Sequence, residues 1–158
     1  MQRWLVASLF FVASSSTAQD APLVVKAAAV IDGKGGVHKG AAVVVQNGRI
    51  VRIEPAATKA TYDLARFTVL PGMIDTHVHL ASHFGKDGRI AGSKGETPGQ
   101  AILYSAENAY VMLMAGFTTV QSIGSASDLE LREAIARGRF PGPRLLTSID
   151  PLNALRQE

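Results

Sequence analysis

The sequence predicts an α/β fold built from parallel β/α units, preceded by a small antiparallel β unit. After Pro71-Gly72, strand-like and helix-like segments alternate with short connections, which is typical of a parallel sheet. Before that point, two β-branched segments flank Asn47-Gly48, a strong hairpin signal. The chain has 158 residues, of which 47% are hydrophobic and 18% are charged. This balance is ordinary for a globular protein and argues against disorder.

Charge and cysteine content exclude several functional classes. The formal net charge is only +3, and the lysines and arginines neither cluster nor alternate with aromatic residues. We therefore expect no nucleic-acid partner. The absence of cysteine rules out disulfides, cysteine-ligated zinc and thiol nucleophiles. Any metal ion must be held by histidines, carboxylates or a modified side chain.

Residues 1–18 have the pattern of a signal peptide. Arg3 gives a positive start, and Trp4–Ala13 is an apolar run too short to span a bilayer. Small residues at Ser16 and Ala18 favour cleavage after Ala18. The alternative is an N-terminal membrane anchor. The pattern favours export, to the periplasm or the exterior, without a stable membrane anchor.

Residues 19–66 are expected to form a small β-sandwich-like unit. Its candidate strands are Leu23–Ile31, Ala42–Gln46 and Arg49–Ile53. The Asn47-Gly48 turn between the last two requires positive φ at both positions, which these residues tolerate. A sheet of this size is marginal alone. A carbohydrate-binding or partner-binding β module is an alternative that depends on this unit only.

Residues 67–158 are expected to form the first β/α units. The segment Thr68–Leu80 reads as one buried strand, because its apolar run suggests cover on both faces. A loop is expected over residues 81–96. A first helix should begin at a capping box of Thr97 and Gln100, with Pro98 at its first position, and end at Gly116.

The second half of this region repeats the pattern. Phe117–Ile123 is a candidate strand, and Ser127 with Glu130 forms the signature of another capping box. That second helix should end at Gly138. Arg144–Ser148 begins a third strand. Three parallel strands fall far short of a closed eight-stranded barrel, which needs about 250 residues.

His77 and His79 are the candidate metal ligands. One residue separates them, so in a strand both imidazoles project the same way. Imidazole binds zinc and similar divalent ions, and catalytic groups gather at the carboxyl ends of parallel strands. Asp75 is expected on the same face, where it would orient a ligand. The alternative is that both histidines only cap the strand through local hydrogen bonds.

The other histidines carry weaker signals. His83 lies in the loop above the strand end, where it is a candidate for substrate contact, although a solvated loop residue is the favoured interpretation. His38 is expected on the surface of the β unit. We expect no catalytic residue beyond the metal ligands within this chain.

The segment Pro71–His79, with the sequence PGMIDTHVH, closely resembles the signature of the metal-dependent amidohydrolase superfamily. Gly116–Val120, Leu131–Gly138 and Gly142–Leu146 resemble the next units of its imidazolonepropionase-like branch, which includes prolidase-like dipeptidases. The Asn47-Gly48 hairpin is similar to the small β domain before the barrel in that family. The resemblance extends over residues 22–148.

The resemblance implies the N-terminal part of a (β/α)₈ barrel with one or two divalent ions, of which zinc is expected. His77 and His79 would ligate the more buried ion, and a metal-activated water would attack the carbonyl of an amide, lactam or dipeptide substrate. The family completes its site on later strands, with a lysine or glutamate, further histidines and an aspartate. Gln121-Ser122 departs from the Arg-Asp that the family often carries, so no role of that acid transfers.

Two hypotheses follow. The first is a metal-dependent hydrolase of carbon–nitrogen bonds acting on a small-molecule or dipeptide substrate. The second is a catalytically inactive barrel fragment or weak metal-binding remnant, since catalytic zinc sites use three protein ligands and only two are evident. The sequence leaves the oligomeric state open.

Overall fold

The structure, a computed structural model, describes residues 21–55, 59–91 and 95–148. The chain divides into two compact units between Leu70 and Pro71. The expected signal peptide of residues 1–18 lies outside the described residues, so export stays a prediction. In the described ranges, the helices are too short or too polar to cross a membrane.

The first unit contains a mixed four-stranded sheet in the order β3-β2-β1-β4. Its strands are β1 (Leu23–Ile31), β2 (Val37–Gln46), β3 (Arg49–Pro55) and β4 (Tyr62–Val69). The three predicted strands are confirmed, although β2 begins earlier than expected. The hairpin is also confirmed, because Asn47 and Gly48 have φ values of 52° and 70°. Ala27, Val30, Ala41 and Val43 form the core of this unit.

The prediction of one continuous strand over residues 68–80 is wrong. Tyr62–Val69 forms β4, which pairs in parallel with β1, whereas the strand that carries the histidines begins only at Met73. Pro71 has no amide hydrogen to donate to a strand ladder, so it favours an interruption at this point. The segment therefore contributes to both units, and the expected antiparallel sheet is mixed.

The second unit contains a parallel sheet in the order β5-β8-β9, with two helices, so the predicted α/β order is confirmed. A short hairpin, which was not predicted, lies within the expected loop of residues 81–96. The elements are β5 (Met73–Val78), β6 (His83–Phe84), β7 (Ile90–Ala91), α1 (Pro98–Met114), β8 (Phe117–Ser122), α2 (Asp128–Ala136) and β9 (Arg144–Thr147).

The helix starts differ in how well the sequence predicted them. The capping box of α1 is confirmed, because the Thr97 hydroxyl accepts from the Gln100 amide and the Gln100 side chain accepts from the Thr97 amide. The prediction of a capping box at the start of α2 is wrong. Ser127 has helical backbone angles, and its hydroxyl hydrogen-bonds to the Ser125 hydroxyl at 2.9 Å instead of capping the helix.

The core of the second unit lies between the sheet and the helices. It consists of Val78, Leu80, Ala109, Val120, Leu131 and Leu145. The start of β5 is not part of it, since Met73 is 41% exposed and Ile74 is 67% exposed. The expectation that this strand is buried throughout is therefore wrong for the described residues, in which β5 pairs with β8 alone. Only its carboxyl end is anchored in the core.

Candidate metal centre

His77 and His79 lie side by side at the carboxyl end of β5. Their ring centroids are 5.3 Å apart, and the ring planes meet at 67°. The side chains of Val78 and Leu80 are buried in the core, so the alternating histidines point away from it, and both are exposed. The prediction that the two rings project together is confirmed, while their role as metal ligands stays a prediction.

The main chain around the pair is fixed on both sides. The Ile123 amide at the end of β8 donates to the Val78 carbonyl at 2.9 Å. Beyond the pair, the Ser82 amide donates to the His79 carbonyl at 3.1 Å and closes a turn. These bonds hold the backbone on which the imidazoles are mounted.

Asp75 contacts the main chain of the pair. Its Oδ1 accepts a hydrogen bond from the His77 amide at 3.0 Å. The register of β5 against β8 shifts between Asp75 and Val78, so strict alternation does not extend from Asp75 to His77. The carboxylate thus fixes the backbone of the first candidate ligand, which differs from the contact at the ligand ring that the sequence suggested.

His83 is a packed residue, so the favoured interpretation as a solvated loop side chain is wrong. Its side chain is only 12% exposed, and its Nε2 lies 2.9 Å from Glu96 Oε1. The ring stacks on Tyr104 of α1, with centroids 3.7 Å apart and planes within 6°. Glu96 Oε2 is buried without a hydrogen-bond partner. The contact with Glu96 and Tyr104 therefore fastens the loop after β5 to α1.

His38 is on the surface, as predicted. Its ring lies 3.1 Å from Asp32 Oδ2 and is 45% exposed. Hydrogen bonds from the Lys34 amide, the His38 ring and the Gly36 amide lower the pKa of Asp32 to about 2. This exposed pair provides a natural comparison for the enclosed pair of His83 and Glu96.

We predict that His83→Ala destabilises the protein by about 2 kcal/mol, because it leaves a largely buried carboxylate without its partner. Urea unfolding at neutral pH measures the change. The matched control is His38→Ala, whose exposed contact with Asp32 should contribute much less to stability. Equal effects of the two substitutions would contradict the packed role of His83.

A cavity of about 830 Å³ lies between the N-terminal ends of α1 and α2. Its wall includes Ala81, two residues beyond His79, together with Glu96, Thr97, Ser127 and Glu130. The volume is in the range that small-molecule sites occupy. The cavity and the histidine pair both belong to the end of the unit at which the parallel strands terminate.

The donor set fits part of a metal site. Neutral imidazoles are good ligands for zinc, and two of them lie side by side at an exposed position. In the part of the chain that the structure describes, no group of three or more His, Cys, Asp or Glu side chains could hold a metal ion. His77 and His79 can therefore supply two ligands, and a complete catalytic site requires at least one more.

A parallel α/β unit with two imidazoles at the carboxyl end of a strand is typical of enzymes whose active sites lie at that end of the sheet. Comparison with models of protein families shows which family within this class the chain matches. The model of the amidohydrolase family matches residues 68–154, which is more than half of the chain. The chain belongs to the amidohydrolase family. Comparison with curated protein sequences finds no match.

Several solved structures are similar to this chain. A Xaa-Pro dipeptidase with methionine bound in its active site is 30% identical, with a TM-score of 0.70, and the match covers 80% of this chain and 33% of that protein. A prolidase in complex with N-methylphosphonate-L-proline is 28% identical, with a TM-score of 0.67 and coverages of 81% and 32%. Aspergillus niger ochratoxinase, at 19% identity, a TM-score of 0.64 and coverages of 80% and 31%, shares the fold. The chain spans about a third of the length of these proteins.

The sequence did not lead us to predict roles for Glu96, Tyr104 and Asn108, which hold the loop that follows the histidines. For Tyr104 and Asn108, the pattern of α1 could have indicated such a role. Tyr104 and Asn108 are four residues apart, so they share one face of α1 with the buried Ser105 and Ala109. A polar side chain on the packed face of a helix needs a partner, which points to a contact outside the helix.

Proposed function

We propose that this protein is a metal-dependent hydrolase of carbon–nitrogen bonds, with a Xaa-Pro dipeptide as the leading substrate class. One observation carries the proposal: two adjacent imidazoles lie at the carboxyl end of a parallel strand in a member of the amidohydrolase family. The family match extends over residues 68–154 and so includes both histidines. An inactive barrel fragment or weak metal-binding remnant is the competing proposal.

The proposed architecture is the first part of a (β/α)₈ barrel. The described β/α units follow the order that such a barrel requires, with parallel strands and intervening helices. The match covers only 33% and 32% of the length of the two similar solved structures. In this proposal, later strands supply the remaining ligands and the proton-transfer group.

The residues of this chain have two tasks in the proposed reaction. His77 and His79 would hold a divalent ion, for which zinc suits the imidazole donors, and Asp75 holds the amide of His77 in place. When bound, such an ion would supply activation of a water and polarisation of the scissile carbonyl. Anchoring of Val78 and Leu80 in the core keeps the two rings aligned, so little reorganisation is needed for binding.

The dipeptide substrate is proposed from two related proteins. Those proteins are described as a Xaa-Pro dipeptidase and as a prolidase with a proline phosphonate bound, and they are 30% and 28% identical to this chain. Amides and lactams of other small molecules are the alternatives within the same chemistry. The cavity beside the strand ends has room for a ligand of dipeptide size.

The test uses the product of the complete reading frame and a panel of Xaa-Pro dipeptides. We expect hydrolysis that falls about 100-fold or more after dialysis against a chelator, because the ion supplies several kcal/mol of transition-state stabilisation. Adding Zn²⁺ should restore it. A panel of dipeptides without proline serves as the specificity control. Tight zinc binding without hydrolysis of any amide would favour the remnant and overturn the proposed activity.

A further inference from the structure

Asn108, on the packed face of α1, makes two hydrogen bonds to the turn that follows the histidine pair. Its Nδ2 donates to the Leu80 carbonyl at 2.8 Å and to the Ser82 carbonyl at 2.8 Å. A side-chain amide nitrogen carries two hydrogens, so this geometry uses both of them. The same turn is closed by the hydrogen bond between the Ser82 amide and the His79 carbonyl.

These bonds connect separate elements of the unit. Asn108 is 28 positions from Leu80 and 26 positions from Ser82 in the sequence. One turn earlier on α1, Tyr104 stacks on His83. Two successive turns of α1 therefore contact the segment of residues 80–83, which begins immediately after His79.

We infer that Asn108 is a positioning residue for the proposed metal ligands. It fixes the carbonyls of Leu80 and Ser82, in the turn after His79, and thereby the path of the backbone from which the imidazoles project. The inference rests on the proposed metal-dependent function. Asn108 acts on the imidazoles through the main chain, since both of its amide hydrogens are donated to the two carbonyls.

The chemistry of the amide provides a sharp substitution. Asn108→Asp keeps the shape of the side chain, but an ionised carboxylate has no hydrogen to donate and would face two carbonyl oxygens. Asn108→Ala removes the donors without adding charge. Loss of a group that orients a metal ligand typically weakens metal affinity by about 10-fold to 100-fold, and we expect a loss of this size for both variants.

The experiment measures Zn²⁺ affinity by competition with a chromophoric chelator in the product of the complete reading frame. The visible absorption spectrum of the Co²⁺-substituted protein reports ligand geometry directly. The matched control is Ser105→Ala, because Ser105 lies on the same packed face of α1 but its hydroxyl bonds to the Ala101 carbonyl and the Ser127 hydroxyl instead of the turn. His77→Ala serves as the reference variant, because it removes one of the two proposed metal ligands.

We expect both Asn108 variants to weaken Zn²⁺ binding and change the Co²⁺ spectrum, while Ser105→Ala leaves the spectrum unchanged. Wild-type affinity and spectrum in the Asn108 variants, together with loss of binding in His77→Ala, would overturn the inference and leave the proposed function intact. Equal losses in the Asn108 and Ser105 variants would show a general helix effect and also overturn it. Unchanged binding in His77→Ala would overturn both proposals. Should Asn108→Asp fail to fold, the uncharged Asn108→Ala decides.

Discussion

Replacing His77 by alanine is expected to lower the proposed dipeptide hydrolysis by about 1,000-fold or more, because the proposed metal ion would supply several kcal/mol of stabilisation to the transition state and each 1.4 kcal/mol is about tenfold in rate. Zn²⁺ affinity should fall together with the rate. The measurement combines kcat/KM for a Xaa-Pro dipeptide with the metal content of the purified protein. Removing one of two adjacent imidazoles leaves its neighbour at the strand end with too few ligands to hold the ion.

Two comparisons make this prediction specific. His79→Ala should have the same effect, and the double variant should be no worse than either single one, because groups that act as a unit are strongly non-additive. His38→Ala is the control, since its ring is exposed on the first unit and paired with Asp32. Retained metal content with normal hydrolysis in His77→Ala would contradict the proposed role of the pair.

Features encoded within a few neighbouring residues could be predicted from the sequence. The hairpin at Asn47-Gly48 depends on two residues that tolerate positive φ, and the start of α1 depends on the side chains of Thr97 and Gln100. The projection of His77 and His79 to the same side follows from the alternation of a strand. In each case the contacts that determine the structure are local, so a short segment of sequence is enough to predict it.

Features that depend on distant partners could not be predicted. The strand of residues 62–69 forms by parallel pairing with β1, more than thirty positions earlier, which no short pattern specifies. Ser127 has the sequence of a helix cap, but a neighbouring hydroxyl from Ser125 competes for its side chain. The enclosure of His83 likewise requires Glu96 and Tyr104, which the fold brings to it.

The same distinction applies to the candidate site. The local motif identifies two imidazoles, whereas the parts that hold them in place come from elsewhere in the unit. Asn108 reaches the turn after His79 from α1, and the amide of Ile123 reaches Val78 from the end of β8. The candidate site is therefore specified at two levels: a short sequence supplies the two imidazoles, and long-range packing fixes their geometry.

Leu80→Ala is expected to destabilise the protein by about 3 kcal/mol, because it removes a large side chain from a packed core and leaves a cavity. Leu80 is only 2% exposed and belongs to the core cluster with Ala109, Val120 and Leu131. Urea unfolding measures the loss, with chelator present throughout, since a metal ion that binds the folded protein would mask part of the change.

The matched control is Leu103→Ala on α1, where the same atoms are removed from a side chain that is 70% exposed. Its effect should stay within about 0.5 kcal/mol, as for most surface substitutions. Similar losses for the two leucines would contradict the assignment of Leu80 to the core. Because Leu80 directly follows His79 and its carbonyl accepts from Asn108, its burial also anchors the strand end that carries the imidazoles. Leu80→Ala should therefore weaken Zn²⁺ binding as well as stability, whereas Leu103→Ala should change neither.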